Sequence, residues 1–286
     1  MILAILGPTG VGKTKLSIEL AKKYNAIIIN NDAVALYEKI NIGTAKPTIE
    51  ERENIPHYLL DCIDIERNYT VYDYQKDARK IIEDNKDKNI IFVGGTGLYL
   101  KAALYDFRFK EEKNQQTFDN LTNDELYELA LKKDKNMTIH KNNRQRLIRF
   151  INKKEIELVE PKPLYNALII GLTTNRENLY QRINNRVDKM IEQGLIEEVK
   201  DFYDHHIYSK ALTTAIGYKE LYQYFDNKIS LNEAIDLIKK NSRHYAKRQY
   251  TYFNNQLNIK WFETNYQDFN ETIKEVEEYI DANKNS

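Results

Sequence analysis

Met1 to Thr14, MILAILGPTGVGKT, decides how this chain is read. The apolar run Ile2 to Leu6 predicts a buried strand. Gly7-Pro8-Thr9-Gly10-Val11-Gly12-Lys13-Thr14 follows it and matches G-x-x-x-x-G-K-[ST] in full. Leu16, Leu20 and Tyr24 then recur at helical spacing, so the motif sits between strand and helix. In that setting glycines let successive backbone N–H groups turn inward around a phosphate, and the helix N-terminus adds partial positive charge. Lys13 supplies a point charge, and the Thr14 hydroxyl is placed to ligate Mg²⁺. The stretch predicts phosphate binding. It does not say what carries the phosphate.

Outside that loop, composition sets the bounds. A chain of 286 residues fits one large α/β domain or a core with an inserted subdomain. With 42% hydrophobic and 30% charged residues there is ample core for a globular protein. The formal net charge of +0 excludes a global electrostatic footprint for nucleic acid, so any such surface is local. A single cysteine, Cys62, excludes an intrachain disulfide and a cysteine-based zinc site. Its apolar neighbourhood, Tyr58 to Ile65, predicts a buried, inert thiol. No apolar run approaches membrane-spanning length, and the first strand occupies the N-terminus, so a cytoplasmic protein with no membrane partner is expected.

A second strand, Ala26 to Ile29, ends in Asn30-Asn31-Asp32 and delivers Asp32 to the same sheet edge as the phosphate loop. An acid there suits chemistry or a cap. Asn41 to Pro47, NIGTAKP, reads as a polar loop carrying Lys46. A helix over 70–85 precedes a third strand, Asn89 to Val93, which runs into Gly94-Gly95-Thr96-Gly97. Small residues at that strand end would let a ligand approach the backbone. The strand lacks the terminal Asp of a hydrolysing ATPase.

Beyond Leu104 the composition turns polar. A capped helix is expected from Thr122 through Lys133, then an amphipathic basic helix across His140 to Lys154 with six Lys or Arg and no acid. Ala167 to Leu172 predicts a fourth strand feeding one helix from Asn175 to His205. There Arg182 and Arg186 share a face that could clamp phosphate. Thr213 to Lys219 reads as a glycine-bearing loop. Ser230-Leu231-Asn232-Glu233 is a capping box for a long helix. Lys239, Lys240, Arg243, Lys247 and Arg248 lie on it, interleaved with Tyr245, Tyr250, Tyr252 and Phe253, a pattern suited to an RNA backbone with splayed bases. A last strand, Ile259 to Phe262, and an acidic, solvated helix, Asn270 to Ile280, close the chain.

Taken in order, GPTGVGKT, Asp32, NIGTAKP, PHYLLD, VGGTGLYL, NNRQRLIR, AIGYKEL and SRHYAKRQYTYF resemble the tRNA dimethylallyltransferases of bacterial type, from Ile2 to about Trp261. The resemblance implies an α/β fold: a P-loop nucleotide-kinase-like core with a parallel sheet flanked by helices, plus a helical insertion. The core would span 1–106 and 164–286 with tRNA-binding helices, and the insertion 107–163. It implies dimethylallyl transfer from dimethylallyl diphosphate to the exocyclic N6 amine of the adenosine 3′-adjacent to the anticodon, with Mg²⁺ as cofactor. Partners would be the tRNA anticodon stem-loop and the diphosphate, and the protein a monomer.

Carried residue by residue, the resemblance gives Gly7, Pro8, Thr9, Gly10, Val11, Gly12, Lys13 and Thr14 to the diphosphate, with Arg182 and Arg186. Asp32 would be the general base, oriented by Thr96 or sharing the amine with it. Contacts to tRNA would come from Asp32, Ala33, Val34 and Ala35, and from Gln145, Arg146, Leu147, Ile148 and Arg149. The segment Ala215, Ile216, Gly217, Tyr218 and Lys219, with Arg243, Lys247 and Arg248, would add others. Ala33 and Ala35 replace the Ser and Gln usual in the family, Lys141 replaces a common Pro, and Tyr252 replaces a Trp. Three alternatives stand beside this reading: a small-molecule kinase using Arg144, Arg146 and Arg149 as a lid, an adenylate isopentenyltransferase, and a non-catalytic RNA-binding protein.

Overall fold

The computed structural model describes residues 1–109, 117–152 and 161–284. In chain order its elements are β1 (Ile2–Leu6), α1 (Lys13–Tyr24), β2 (Ala26–Asn30), β3 (His57–Tyr58), α2 (Val71–Asp84), β4 (Asn89–Gly94), α3 (Gly97–Leu104), α4 (Asn123–Lys133) and α5 (Arg144–Asn152). They continue with β5 (Ala167–Thr173), α6 (Arg176–Glu192), α7 (Leu195–Asp204), α8 (Lys210–Thr214), α9 (Tyr218–Phe225), α10 (Leu231–Gln256), β6 (Lys260–Glu263) and α11 (Phe269–Asn283). The chain divides into two compact units, Met1–Phe107 with Lys162–Ser286, and Arg108–Pro161.

In the larger unit the strands form one sheet in the order β3-β2-β4-β1-β5-β6, every pair parallel. A parallel sheet covered on both faces demands near-continuous apolar strands, and ILAIL, AIIIN, NIIFVG and ALIIGLT meet that demand. Alternate residues serve opposite layers. Leu3, Ile5, Ile28 and Ile91 pack with Leu16 and Leu20 of α1, Leu179 of α6 and Val276 of α11. Ala4, Leu6, Ile29 and Phe92 pack with Tyr74 and Ala78 of α2, Leu100 of α3 and Phe253 of α10. Parallel pairing puts all carboxyl ends at one edge, so the turns after β1, β2 and β4 meet there.

The smaller unit is described by itself. Thr122 caps α4 through a reciprocal box with Glu125, and Leu126 and Ala130 of α4 pack against the buried Leu147 of α5. The basic helix starts at Arg144 rather than His140; Lys153 and Lys154 lie outside the described residues.

Four further expectations need correction. The helix expected over Asn175 to His205 is two helices, broken where Gly194 adopts φ 100°, which a continuing right-handed helix cannot accommodate. The loop expected over Thr213 to Lys219 is the end of α8, a turn and the start of α9, with Gly217 at φ 100° between them. The C-terminal helix is not merely solvated. It buries Thr272, Val276 and Ile280, and Glu277 pairs with Lys23 at 2.8 Å. Cys62 is exposed rather than buried, although desolvation and the Asp77 and Asp61 carboxylates push its thiol up to about 11.

At the edge of the sheet, β4 ends against the backbone that leaves β2. A Cβ on Gly94 would stand 2.2 Å from both the carbonyl carbon and the oxygen of Asn31, atoms that cannot rotate away. Gly94→Ala should therefore destabilise the protein by about 3 kcal/mol or more. Urea denaturation checks this; an unchanged midpoint would mean that the two strand ends separate freely.

Candidate active site

A cavity of about 340 Å³ opens at this edge. Thr9, Lys13 and Thr14 of the phosphate loop, Asp32, Arg186 and Gln249 line it, along with Gly94 and Gly95. Gly10 (φ 86°) and Gly12 (φ 95°) put the loop in left-handed conformations, the geometry that turns N–H groups into an anion-binding concavity. Val11 between them is fully buried and pins the loop to the core. Gly7, Pro8, Gly10, Val11 and Gly12 shape the loop without lining the cavity.

Lys13 donates from Nζ to Pro8 O at 2.7 Å. Burial and the Arg186 guanidinium push it down to about 7, partly opposed by Asp32. Burial lowers Arg186 too, and its Nη2 donates to Thr44 O at 3.2 Å. The two helix arginines therefore diverge in role. Arg186 faces the cavity, whereas Arg182 donates from Nε to Gly10 O at 2.9 Å and stacks on Tyr266 at 3.9 Å, bracing the loop from outside.

Asp32 is held by its own turn. Oδ1 accepts from Val34 N at 3.0 Å and Ala35 N at 3.4 Å, and Asn30 Oδ1 accepts from the Asp32 N–H at 3.1 Å. Oδ2 takes no hydrogen bond among the described residues. Cap and candidate base are thus combined in one side chain, one oxygen for each task. Thr96 Oγ1 accepts from Ala33 N at 3.1 Å, so it positions the turn that carries Asp32. Ala33, Val34 and Ala35 act through backbone N–H groups, which Ser and Gln side chains would not improve; Val34 and Ala35 also line the cavity.

Gly94 and Gly95 line the cavity, and Gly95 and Gly97 also make room for a helix. A Cβ on Gly95 would meet Gln249 Nε2 at 2.1 Å, and one on Gly97 the Tyr252 ring at 2.5 Å. What approaches the backbone is α10, which then presents Tyr245, Arg248 and Gln249 to the cavity. Burial and the Asp32 charge keep the Tyr245 hydroxyl protonated, and Thr96 and Gln249 face it. Lys247 lies instead in a separate hollow of about 320 Å³ with Arg176, Tyr180 and Tyr250. Arg243 donates to Asn184 Oδ1 and lies 5.9 Å from the Tyr180 ring.

The NIGTAKP loop forms the remaining wall, and Glu198 of α7 holds it. Its Oε2 accepts from Asn41 N and Ile42 N, each at 2.9 Å, and Oε1 from Gly43 N at 3.3 Å. The Tyr218 hydroxyl donates to the same carboxylate, with its ring covering Gly43. Tyr218 is thus buried behind the loop, whereas Ala215, Ile216, Gly217 and Lys219 reach the cavity. Lys46 bonds Tyr37 O and Asp61 Oδ1, and Arg52 bonds Asp61 Oδ2 at 2.9 Å.

On α5 of the smaller unit, Gln145, Arg146 and Arg149 are exposed, Leu147 is buried and Ile148 is half-buried. Arg144 is committed to structure, donating to Leu121 O at 2.6 Å and Phe118 O at 2.7 Å. The sequence singles out neither Glu198 nor Gln249, and Tyr245 only as one of the aromatics suited to RNA. A lone Glu on a helix carries no signal, while Tyr245 and Gln249 stood inside the motif SRHYAKRQYTYF. Among the described residues there is no group of three or more His, Cys, Asp or Glu placed to hold a metal, and no helix is long and apolar enough to cross a membrane.

Comparison with known proteins adds independent findings. Residues 35–256 match the family model described as IPP transferase. A tRNA dimethylallyltransferase of Anoxybacillus flavithermus is 43% identical, covering 98% of this chain and 96% of that protein. One from Fusobacterium nucleatum is 47% identical over 91% of this chain and 90% of its own length. The solved tRNA isopentenylpyrophosphate transferase of Bacillus halodurans superposes with a TM-score of 0.79 at 39% identity, covering 98% of this chain and 95% of that one. A eukaryotic dimethylallyltransferase, solved as it acts on tRNA, gives a TM-score of 0.74 at 28% identity, covering 91% and 73% respectively.

The Glu198 carboxylate makes one prediction testable without substrate. Glu198→Gln removes the charge from three N–H contacts, each worth about 1.5–3 kcal/mol when charged. Hydrogen exchange at Asn41, Ile42 and Gly43 should accelerate by roughly tenfold or more while β1 amides stay unchanged. Equal exchange in both proteins would show that the loop holds itself.

Proposed function

The chain belongs to the IPP transferase family, and from that premise we propose that it transfers a dimethylallyl group from dimethylallyl diphosphate to the exocyclic N6 amine of the adenosine 3′-adjacent to the anticodon of tRNA. The observation that carries this reading is one cavity lined both by a phosphate loop and by a carboxylate oxygen with no hydrogen bond among the described residues, Asp32 Oδ2. The amine nitrogen bonds to the allylic carbon as the C–O bond to diphosphate breaks, and the bonding pair leaves on the diphosphate oxygen. The proton shed by the amine goes to Asp32 Oδ2. Lys13 and Arg186 offset the charge that gathers on the leaving diphosphate. β4 ends in glycine and lacks the Asp that helps hold Mg²⁺ in hydrolysing ATPases, and this alkyl transfer needs no attacking water.

An amine on a stacked base cannot reach this cavity, so the adenosine must be extruded from the anticodon loop. The basic face of α10 suits the flanking phosphates, and on the smaller unit the exposed Arg146 and Arg149 suit tRNA phosphate. A Mg²⁺ ion suits the donor set at the loop. The Thr14 hydroxyl is exposed at the cavity, and an ion that keeps phosphate oxygens and waters as ligands needs few protein donors. When bound, such an ion would neutralise part of the diphosphate charge.

The test is incubation with unmodified tRNA, labelled dimethylallyl diphosphate and Mg²⁺, followed by nucleoside mass analysis. An isopentenylated adenosine beside the anticodon supports the reading; product on free AMP alone would assign a nucleotide-level transferase instead. Asp32→Asn should lower turnover by about 10²- to 10⁴-fold and leave tRNA affinity unchanged. Full activity in that variant would remove Asp32 as the base.

Lys13 gives a pH signature. In the free protein it loses its proton near 7, and a bound diphosphate would raise that value. Above pH 7, binding must therefore take up a proton, so donor affinity should fall as pH rises from 7 to 9. Calorimetry at pH 8 in buffers of different ionisation enthalpy should register uptake approaching one proton, lost in Lys13→Arg. Zero uptake in the unaltered protein would show that Lys13 is already charged before the donor arrives.

A further inference from the structure

One buried polar atom in the cavity has no partner. Gln249 is 5% exposed, its Nε2 donates to Gly95 O at 2.9 Å, and its Oε1 has no hydrogen bond. The orientation of the amide is not arbitrary, because a carbonyl can only accept, so the nitrogen must face Gly95 and the oxygen must face away. A side chain on Gly95 would start 2.1 Å from Gln249 Nε2 and 3.6 Å from Asp32 Oδ2, so the amide and the carboxylate flank the same glycine. The protonated Tyr245 hydroxyl also faces Gln249 but makes no hydrogen bond to Oε1. Leaving a buried carbonyl unsatisfied costs about 1–3 kcal/mol, which marks a place where a donor belongs.

Resting on the acceptor assignment above, we propose that Gln249 Oε1 accepts one N–H of the acceptor amine while Asp32 Oδ2 accepts the other. An exocyclic amine on a purine carries two N–H groups in the ring plane, and this pair of acceptors fixes that plane against the donor carbon. As the nitrogen forms its new bond it gains positive charge, and both N–H groups become stronger donors. The contact to Gln249 therefore tightens toward the transition state rather than serving binding alone. When Asp32 takes its proton, the remaining N–H stays on Gln249. Two acceptors on the amine would also repel a base that presents a 6-oxo group, which selects adenosine over guanosine or inosine. Gln249 is thereby a catalytic residue that touches substrate, and Gly95 is the position that lets it come close.

The test uses Gln249→Met, which keeps the length and loses the acceptor. Turnover on an anticodon stem-loop should fall on the order of 10- to 100-fold with the KM for dimethylallyl diphosphate unchanged. Affinity for a stem-loop with purine in place of the acceptor adenosine should stay the same. The preference for adenosine over purine should shrink by about tenfold. Retained turnover and preference would overturn the proposal. So would a parallel loss of affinity for both stem-loops with a lowered Tm, which assigns Gln249 to docking α10. Gln249→Glu guards against misfolding by the first variant. Its neutral acid keeps an acceptor and a donor, so with Asp32 ionised as base, activity should decline at a lower pH than in the unaltered enzyme as the introduced carboxyl ionises; a pH profile equal to that of the unaltered enzyme counts against the proposal. The unaltered enzyme separates the two readings. If it prenylates the stem-loop and Gln249→Met equals it, this inference alone falls; if it forms no prenylated adenosine, both fall.

Discussion

Asn31 is the residue on which the site depends most directly. It is fully buried, and each of its polar groups is engaged. Its N–H donates to Val93 O at 2.8 Å, its carbonyl accepts from Thr96 N at 3.0 Å, and its Nδ2 donates to Thr96 O at 3.2 Å. Its Oδ1 lies 3.2 Å from the Tyr74 hydroxyl, which also donates to Asn30 O. These bonds lock the turn after β2 to the turn after β4, with Gly94 making room for the contact. Asp32 and Thr96 are consequently held by main-chain geometry at the mouth of the sheet, where a loop would otherwise wander.

The charges around the cavity are organised on that frame. Burial desolvates both Lys13 and Arg186, the Arg186 charge lowers Lys13 further, and Asp32 is the carboxylate that opposes both shifts. Two desolvated cations with one carboxylate near them are poised for an anion. Burial weakens the Lys13 charge in the free protein, so the site holds part of its binding strength in reserve for a phosphate.

The cavity's outer wall has a different origin. Glu198 belongs to α7, which starts after the break at Gly194, and Tyr218 to α9, which starts after the turn at Gly217, and both converge on the loop 41–47. Two glycines at positive φ thus redirect the chain so that α7 and α9 back the same loop. An uninterrupted helix from Asn175 to His205 would have carried Glu198 onward along a straight axis, away from that loop.

Local sequence determined a great deal. The complete phosphate motif, the strands that had to be apolar throughout, the reciprocal caps at Thr70, Thr122 and Ser230, and the placement of Asp32 at a strand end follow from short-range rules. Those rules hold because strand burial, capping and turn chemistry act over a few residues. Tertiary structure alone decided the rest. That Gly95 makes room for a helix depends on Gln249 of α10, which lies 154 residues away along the chain. Arg182 and Arg186 share a helix face, yet one braces the loop and the other enters the cavity, because Tyr266 and Gly10 capture the first. Cys62 is exposed, α11 is packed and Tyr218 is hidden because of what lies across from them. Burial is a property of the partner as much as of the residue, and a sequence read locally does not name its partners.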